Sequence, residues 1–466
     1  MTTLDPALGV HLDATADARL ESYLEFLRIP SISALSEHAG DIRRAAEWIV
    51  AELSRIGFDN AEVCETPWHP IVYADWLHAA GAPTVIVYCH YDVQPVDPIE
   101  LWDTAPFEPF VRDGRVIGRG AADDKGQLHM HLRAAEAILA TRGALPINIR
   151  IVFEGEEEST SASLPAWLEA NRSRLNADAV VISDTGFFEG NIPAITETLR
   201  GMLYTQIDVT GTPTDVHSGT YGGAVENPAN ALAQIIAALK NRDGRVLVPG
   251  FYDEVRELDD DARRRLADLN FDETAFVAST QAVSLEGEAG FSVLERRWAR
   301  PTLDVNGMWS GFQGEGGKTI IPAHAHAKVS MRLVADQNPD TLFPKFVAHV
   351  KAVCPPGVSV NVQLLGGGNP VRTPIDHPVT LAAVRALRST FGQEPVFIGA
   401  GGSIPVAEMF ARQLGLPVVL LGFTNPDDHA HAPNESMVLA NYETGIRTIC
   451  VLWDILGHER GAEAPA

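Results

Sequence analysis

Histidines and carboxylates recur in this 466-residue chain within a few residues of the ends of apolar runs. PTVIVYC (83–89) leads into His90 and Asp92, and INIRIVF (147–153) into Glu154, Glu156, Glu157 and Glu158. ADAVVIS (177–183) leads into Asp184, and LPVVLLGF (416–423) into Asp427, Asp428, His429 and His431. Imidazole and carboxylate donors suit zinc, manganese or cobalt. One histidine and one acid per ion, plus an acid shared by both, would hold two divalent cations ~3.5–4 Å apart, able to polarise a carbonyl and to activate water.

Each group has a plainer reading when taken singly. The H-x-D of His90 and Asp92 suits a capped turn after a strand. Asp123 and Asp124, in the glycine-flanked GRGAADDKG (118–126), suit a helix N-cap with dipole-favoured acids, or a carboxylate bridging two cations. The glutamates of EGEEES (154–159) suit a solvated loop. Packed this densely they repel unless cations or a proton offset them, and one could bind metal while its neighbour serves as general base. DDHAHAPNE (427–435) offers His429, His431 and Glu435. Agreement among all the groups favours a single metal site.

Ligands of open parallel sheets bind beyond the carboxyl ends of the strands, so the four runs should be neighbouring strands. Residues 16–28 and 41–56 carry apolar positions at helical spacing, and strand-like runs then alternate with helices to about residue 197. The helix after Gly126 should stop at Gly143. From 198 to 369 the order is β-α-β-β-α-β with a long acidic, polar insertion at roughly 250–300. GGGNP (366–370) reads as a hinge, after which α/β alternation resumes to about 457 and a frayed tail follows. The expected fold class is α/β, with a mainly parallel catalytic domain (1–197 and 370–466) and an inserted ferredoxin-like β-α-β-β-α-β domain (198–369).

Apolar content of 45% and charged content of 21% fit a soluble globular chain, and its length suits two domains. The net charge of −25 argues against nucleic acid or an anionic membrane as partner. No apolar run reaches the ~20 residues of a membrane span. Cys64, Cys89, Cys354 and Cys450 form no CxxC pair, which suits a reducing cytoplasm, and the N-terminus lacks the pattern of a signal peptide.

With these motifs in view, the chain resembles the cocatalytic metallopeptidases related to carnosinase, cytosolic nonspecific dipeptidase, glutamate carboxypeptidase, acetylornithine deacetylase, succinyl-diaminopimelate desuccinylase and aminoacylase. CHYDVQP, GRGAADDKG, FEGEEES, ISD, DVHSGTYGG, KTIIPAHAHAKVSMRLV, GGSIPVAE and HAPNE occur in that group's order, from about residue 15 to 457, with most likeness to the dipeptidase branch. The resemblance implies two divalent ions, Zn²⁺ first and Mn²⁺ or Co²⁺ as alternatives. His90 and Asp184 would bind one, Glu158 and His431 the other, and Asp123 would bridge them, followed by a cis peptide bond. Glu157 would be the general base and Asp92 would orient His90. His431 rather than His429, and Glu157 rather than Glu156, align with the motifs.

In the inserted lid and dimerisation domain, His217 would stabilise the oxyanion. In dimeric members of the group it serves the partner's active site. Arg332 would bind the substrate's carboxylate, and Thr319 and Ser403 would hydrogen-bond the substrate. The implied activity is hydrolysis of dipeptides or short peptides with a free C-terminal carboxylate. A deacylase of N-acyl amino acids and an inactive ligand-binding relative are the alternatives, and a metal-stabilised structural protein is a further, plainer one. The implied assembly is a homodimer. Gly399 and Ala400 stand where several dipeptidases carry an Arg-Glu pair, a departure at the segment that would meet the substrate's amino group.

Overall fold

The computed structural model describes residues 3–402 and 404–459. The chain forms two compact units, Met1–Glu197 with Thr373–Ile398 and Pro405–Ala466, and Thr198–Arg372 with Gly399–Ile404.

The first unit is built on a twisted mixed sheet. Four strands stand side by side at its centre, in the order Asn148–Glu154, Thr84–His90, Ala179–Ile182 and Val418–Leu420. All three contacts among them are parallel. These are the four apolar runs that precede the acid and histidine clusters, so all four clusters emerge at one edge of the sheet. Such strands are covered on both faces, which is why they read as mostly apolar runs; only Asn148 and Arg150, part-exposed at the start of Asn148–Glu154, alternate with isoleucines. Tyr88, Cys89, Val180, Phe153 and Leu420 are completely buried. On one flank Ile71–Trp76 and Asp59–Cys64 continue the sheet antiparallel, and on the other Ala194–Leu199 does so.

Helices cover the sheet. Lys125–Arg142 is buried from Lys125 through Ala135, more than any amphipathic surface helix would be, and Gly143 ends it at φ 72°. It packs with Leu439–Glu459 and Ala39–Ile56, in a core that includes Trp453, Phe26 and Ile138. Burial of each such side chain stabilises the fold by about 1.5–3 kcal/mol. No helix among the described residues is long and apolar enough to cross a membrane.

The second unit carries a four-stranded antiparallel sheet in the order Thr302–Ser310, His324–Leu333, Gly201–Thr210 and Ser359–Gly368. With helices Pro228–Ala237 and Pro339–Val353 this is the β-α-β-β-α-β arrangement. Strand Gly201–Thr210 alternates strictly between buried and part-exposed residues, and the buried set packs under the helices with Leu232, Leu342 and Phe346.

One local expectation changes, at 366–370, and the acidic insertion gains definition. The acidic stretch 250–300 holds three helices, Asp260–Asp268, Glu273–Thr280 and Val293–Trp298. Several of its acids are helix-starting devices: Asp259 and Asp272 accept from N-terminal amides, and Ser292 with Glu295 forms a capping box. The glycines expected to hinge at 366–370 instead prolong a strand, with Gly366, Gly367 and Gly368 opposite Tyr204, Leu203 and Met202. A Cβ on Gly201 would lie 2.5 Å from the carbonyl of Gly368, so glycine serves close backbone approach here.

Candidate metal centre

His90 ends its strand completely buried. Its Nδ1 faces Asp92 twice, at 3.0 Å from the carbonyl oxygen and 3.4 Å from Oδ1. The Asp92 carboxylate also accepts from the amides of Glu157 (3.1 Å) and Glu158 (3.0 Å). One buried aspartate therefore sets the histidine ring and the turn that carries both glutamates. With Nδ1–H donating to the carbonyl, Nε2 turns toward Asp123 Oδ1 (3.0 Å) and Asp184 Oδ1 (3.8 Å).

Asp123 lies in the loop before helix Lys125–Arg142 and is followed by a cis peptide bond to Asp124. Gly126 permits the tight entry: a Cβ there would sit 2.1 Å from the carbonyl of Ala121. Asp124 Oδ2 accepts from the His90 amide (3.1 Å), tying loop to strand end. The second Asp123 oxygen, Oδ2, lies 2.8 Å from His431 Nε2, and that nitrogen is 3.2 Å from Glu158 Oε1. Gln94 Nε2 holds the other Glu158 oxygen at 2.7 Å. Donor atoms of His90, Asp123 and Glu158 lie within 4.8 Å of one another, as do those of His90, Glu157 and Asp184.

The electrostatics of this cluster call for a cation. Hydrogen bonds to Asp123 and Glu158 push the His431 imidazole up to about 10. Burial would lower His90, but its bonds to Asp123, Asp184 and Asp92 outweigh that and raise it well above its ordinary value. Burial, followed by the charge of Asp123, lifts Glu158 to about 7. Burial and the Asp184 charge hold Glu157 far above the usual carboxylate range. Burial would raise Asp123 as well, yet bonds to the two imidazoles hold it below that range. In both imidazoles Nε2 faces carboxylate oxygens, Asp123 and Asp184 for His90 and Asp123 and Glu158 for His431. Acids and imidazoles held this close repel or share protons unless cations offset them, and the N/O donor set fits divalent ions.

Neighbouring candidates do other work. Glu156 accepts from the amides of His69 (2.7 Å) and Ser163 (2.9 Å) and from Ser163 Oγ (2.6 Å). Glu154 accepts from Tyr88 Oη at 2.6 Å, and burial raises it to about 8. Asp427 and Asp428 pair with Arg115 at 2.7 and 2.6 Å. His429 is exposed.

His217, Thr319 and Arg332 belong to the second unit. His217 pairs with Ile320 across a two-stranded ribbon, and its Nδ1 accepts from the Gly219 amide at 3.0 Å. Thr319 accepts from the Ser218 amide through its carbonyl (3.1 Å), and Arg332 stands opposite Met202 and Thr302 in the main sheet. Ser403 lies outside the described residues.

Two contributors escaped the sequence reading. One is Gln94, which is silent in isolation. The other is Lys125, whose buried amine donates to the carbonyls of Ile29 (2.5 Å) and Phe26 (3.3 Å) and is lowered by burial to about 7. A lysine in the first turn of a helix opposes the dipole, and that is the one cue to it.

Comparison with known proteins gives the family of the chain. The model of peptidase family M20/M25/M40 matches residues 86–454. A Cys-Gly metallodipeptidase of Candida albicans is 32% identical over 92% of this chain and 93% of its own. The Beta-Ala-His dipeptidase of Homo sapiens is 33% identical over 82% of this chain and 76% of its own. Among solved structures, the M20 family metallo-carboxypeptidase Sso-CP2 from Sulfolobus solfataricus superposes with a TM-score of 0.84 at 32% identity, covering 94% of this chain and 99% of that one. The chain belongs to the peptidase family M20/M25/M40.

Proposed function

We propose that this protein is a dinuclear metal-dependent dipeptidase acting on short peptides with a free C-terminal carboxylate. The observation that carries the reading is Asp123, which turns one oxygen to His90 and the other to His431. The similarity to a Cys-Gly metallodipeptidase and a Beta-Ala-His dipeptidase supports the substrate class. His90, Asp184 and Asp123 would hold one ion and His431, Glu158 and Asp123 the other, with Zn²⁺ ahead of Mn²⁺ and Co²⁺.

Bound there, the ions would supply Lewis-acid polarisation of the scissile carbonyl and a lowered pKa for water. Glu157 takes the proton of the attacking water on a carboxylate oxygen and delivers it to the leaving amine nitrogen. Its raised proton affinity, due to burial and Asp184, suits that exchange. Asp92 keeps His90 and the Glu157–Glu158 turn in register. His217 accepts at Nδ1, which leaves Nε2–H as a donor for a developing oxyanion. Arg332 takes the substrate carboxylate with its planar fork, and Thr319 and Ser403 hydrogen-bond the substrate.

We assign a homodimer through the second unit, whose edge strand Thr302–Ser310 exposes Val305, Met308 and Trp309. Four free cysteines support a cytoplasmic location.

The test is a hydrolysis panel on apo protein reloaded with Zn²⁺, Mn²⁺ or Co²⁺. Free dipeptides should turn over best. Preference for N-acyl amino acids would replace this reading with a deacylase. Preference for N-blocked or longer peptides would favour carboxypeptidase action like that named for the Sulfolobus relative.

A further inference from the structure

We propose that Glu435 is a positioning residue, whose carboxylate moulds the 118–123 loop so that Asp123 can face both imidazoles. This rests on the dinuclear reading above.

Glu435 is completely buried and lies four residues beyond His431. Its Oε2 accepts from Arg119 Nη1 (2.7 Å) and the Gly120 amide (2.9 Å), and its Oε1 from the amides of Ala122 (2.8 Å) and Asp123 (3.0 Å). Its backbone carbonyl accepts from the Gly118 amide at 2.9 Å. Five donors from residues 118–123 thus converge on one residue of the loop that carries His431. The other side of Asp123 is tied to His90 by Asp124. Between them, Asp124 and Glu435 place the bridging acid between its two histidines.

The plainer account is a buried ion pair with Arg119 that serves stability alone. Arg119 is also 1% exposed, and its guanidinium reaches the carbonyl of Pro95 (3.1 Å) and lies over the Trp102 ring. Yet only one of the four donors to the carboxylate is that guanidinium. The other three are loop amides, two of them at or beside the bridging residue. Four donors on one side chain require a group with several lone pairs and no hydrogens, which a carboxylate is and a carboxamide is not.

The test compares the wild type, Glu435→Gln, Glu435→Asp and Asp123→Asn as full-length apo proteins. Zn²⁺ is titrated against a chromophoric chelator, with thermal melts in parallel. Glu435→Gln should weaken Zn²⁺ binding roughly 10–100-fold, the range for groups that orient ligands. Glu435→Asp, which keeps the charge, should recover part of the loss. Zn²⁺ affinity within twofold of the wild type overturns the inference, even if the melting temperature falls. If Glu435→Gln does not fold, the same titration of Glu435→Asp decides by the same criterion. The parent reading fails separately: Asp123→Asn with unaltered Zn²⁺ binding would remove the dinuclear centre itself.

Discussion

Glu156 and Glu157 are consecutive in the chain, yet their carboxylates serve different neighbourhoods. Glu156 turns to the amides of His69 and Ser163 and the Ser163 hydroxyl. Glu157 joins His90 and Asp184. Glu157→Gln should therefore keep its fold and metal content and lose ~10²–10⁴-fold in kcat. Near-normal kcat would remove it as base. Glu156→Ala should instead lower stability by on the order of 3 kcal/mol, because buried donors lose a charged acceptor. Urea denaturation reads that change.

Asp123 shares its two oxygens between the histidines, so both ions of the proposed centre would depend on it. Asp123→Asn should lower metal stoichiometry at both positions, whereas Asp184→Asn should affect one. Elemental analysis after dialysis separates the two cases, and retention of two ions by Asp123→Asn would contradict the bridge.

Metal binding should release protons and tighten with rising pH. Apo Glu158 titrates at about 7 and His431 at about 10, and both must lose a proton to act as ligands. Both values lie above the ordinary ones, so the folded apo state holds these protons more tightly than the unfolded state. Their contribution to apo stability is fully present below the unfolded values. It is lost as pH rises through about 7 for Glu158 and about 10 for His431. Calorimetric titrations in buffers of different ionisation enthalpy give the proton count. A pH-independent affinity between 6 and 8 would refute the linkage.

If the proposed homodimer forms through the second unit, substituting Met308→Lys and Trp309→Glu on its exposed edge strand should yield monomers by sedimentation velocity. If His217 acts across the dimer, mixing and refolding inactive His217→Ala and Glu157→Gln chains should partly restore turnover. Each mixed dimer then holds one site with both groups intact. No recovery in a mixture shown to contain mixed dimers would argue against action in trans.

The central strands were legible because a strand buried on both faces is mostly apolar, and each of the four runs lies in or beside one. The cluster at their ends was legible as chemistry, and Asp123 by its motif. Which acid faces which partner was not legible from residue types alone; only the motif alignment chose Glu157 over Glu156, in agreement with its place beside His90 and Asp184. Glu156 and Glu157 differ by one turn residue, and the contacts that orient them come from His69, Asp92 and Ser163. Glu435 reads as one more acid in a histidine-rich loop until Arg119 is set beside it, 316 residues earlier in the chain. The glycines at 366–368 suggested flexibility, since a sequence does not show that Gly201 brings another backbone against them.

The central sheet also sets an order of assembly. Val418–Leu420 pairs with Ala179–Ile182, and the residues of the whole second unit are made between these two strands. A nascent chain that has completed the three earlier clusters still lacks the final parallel strand, His431 and the Glu435 carboxylate. If His431 completes the proposed centre, hydrolytic competence cannot precede synthesis of the last stretch of the fold. This long-range closure should make acquisition of activity a late, slow step, behind the formation of local helices.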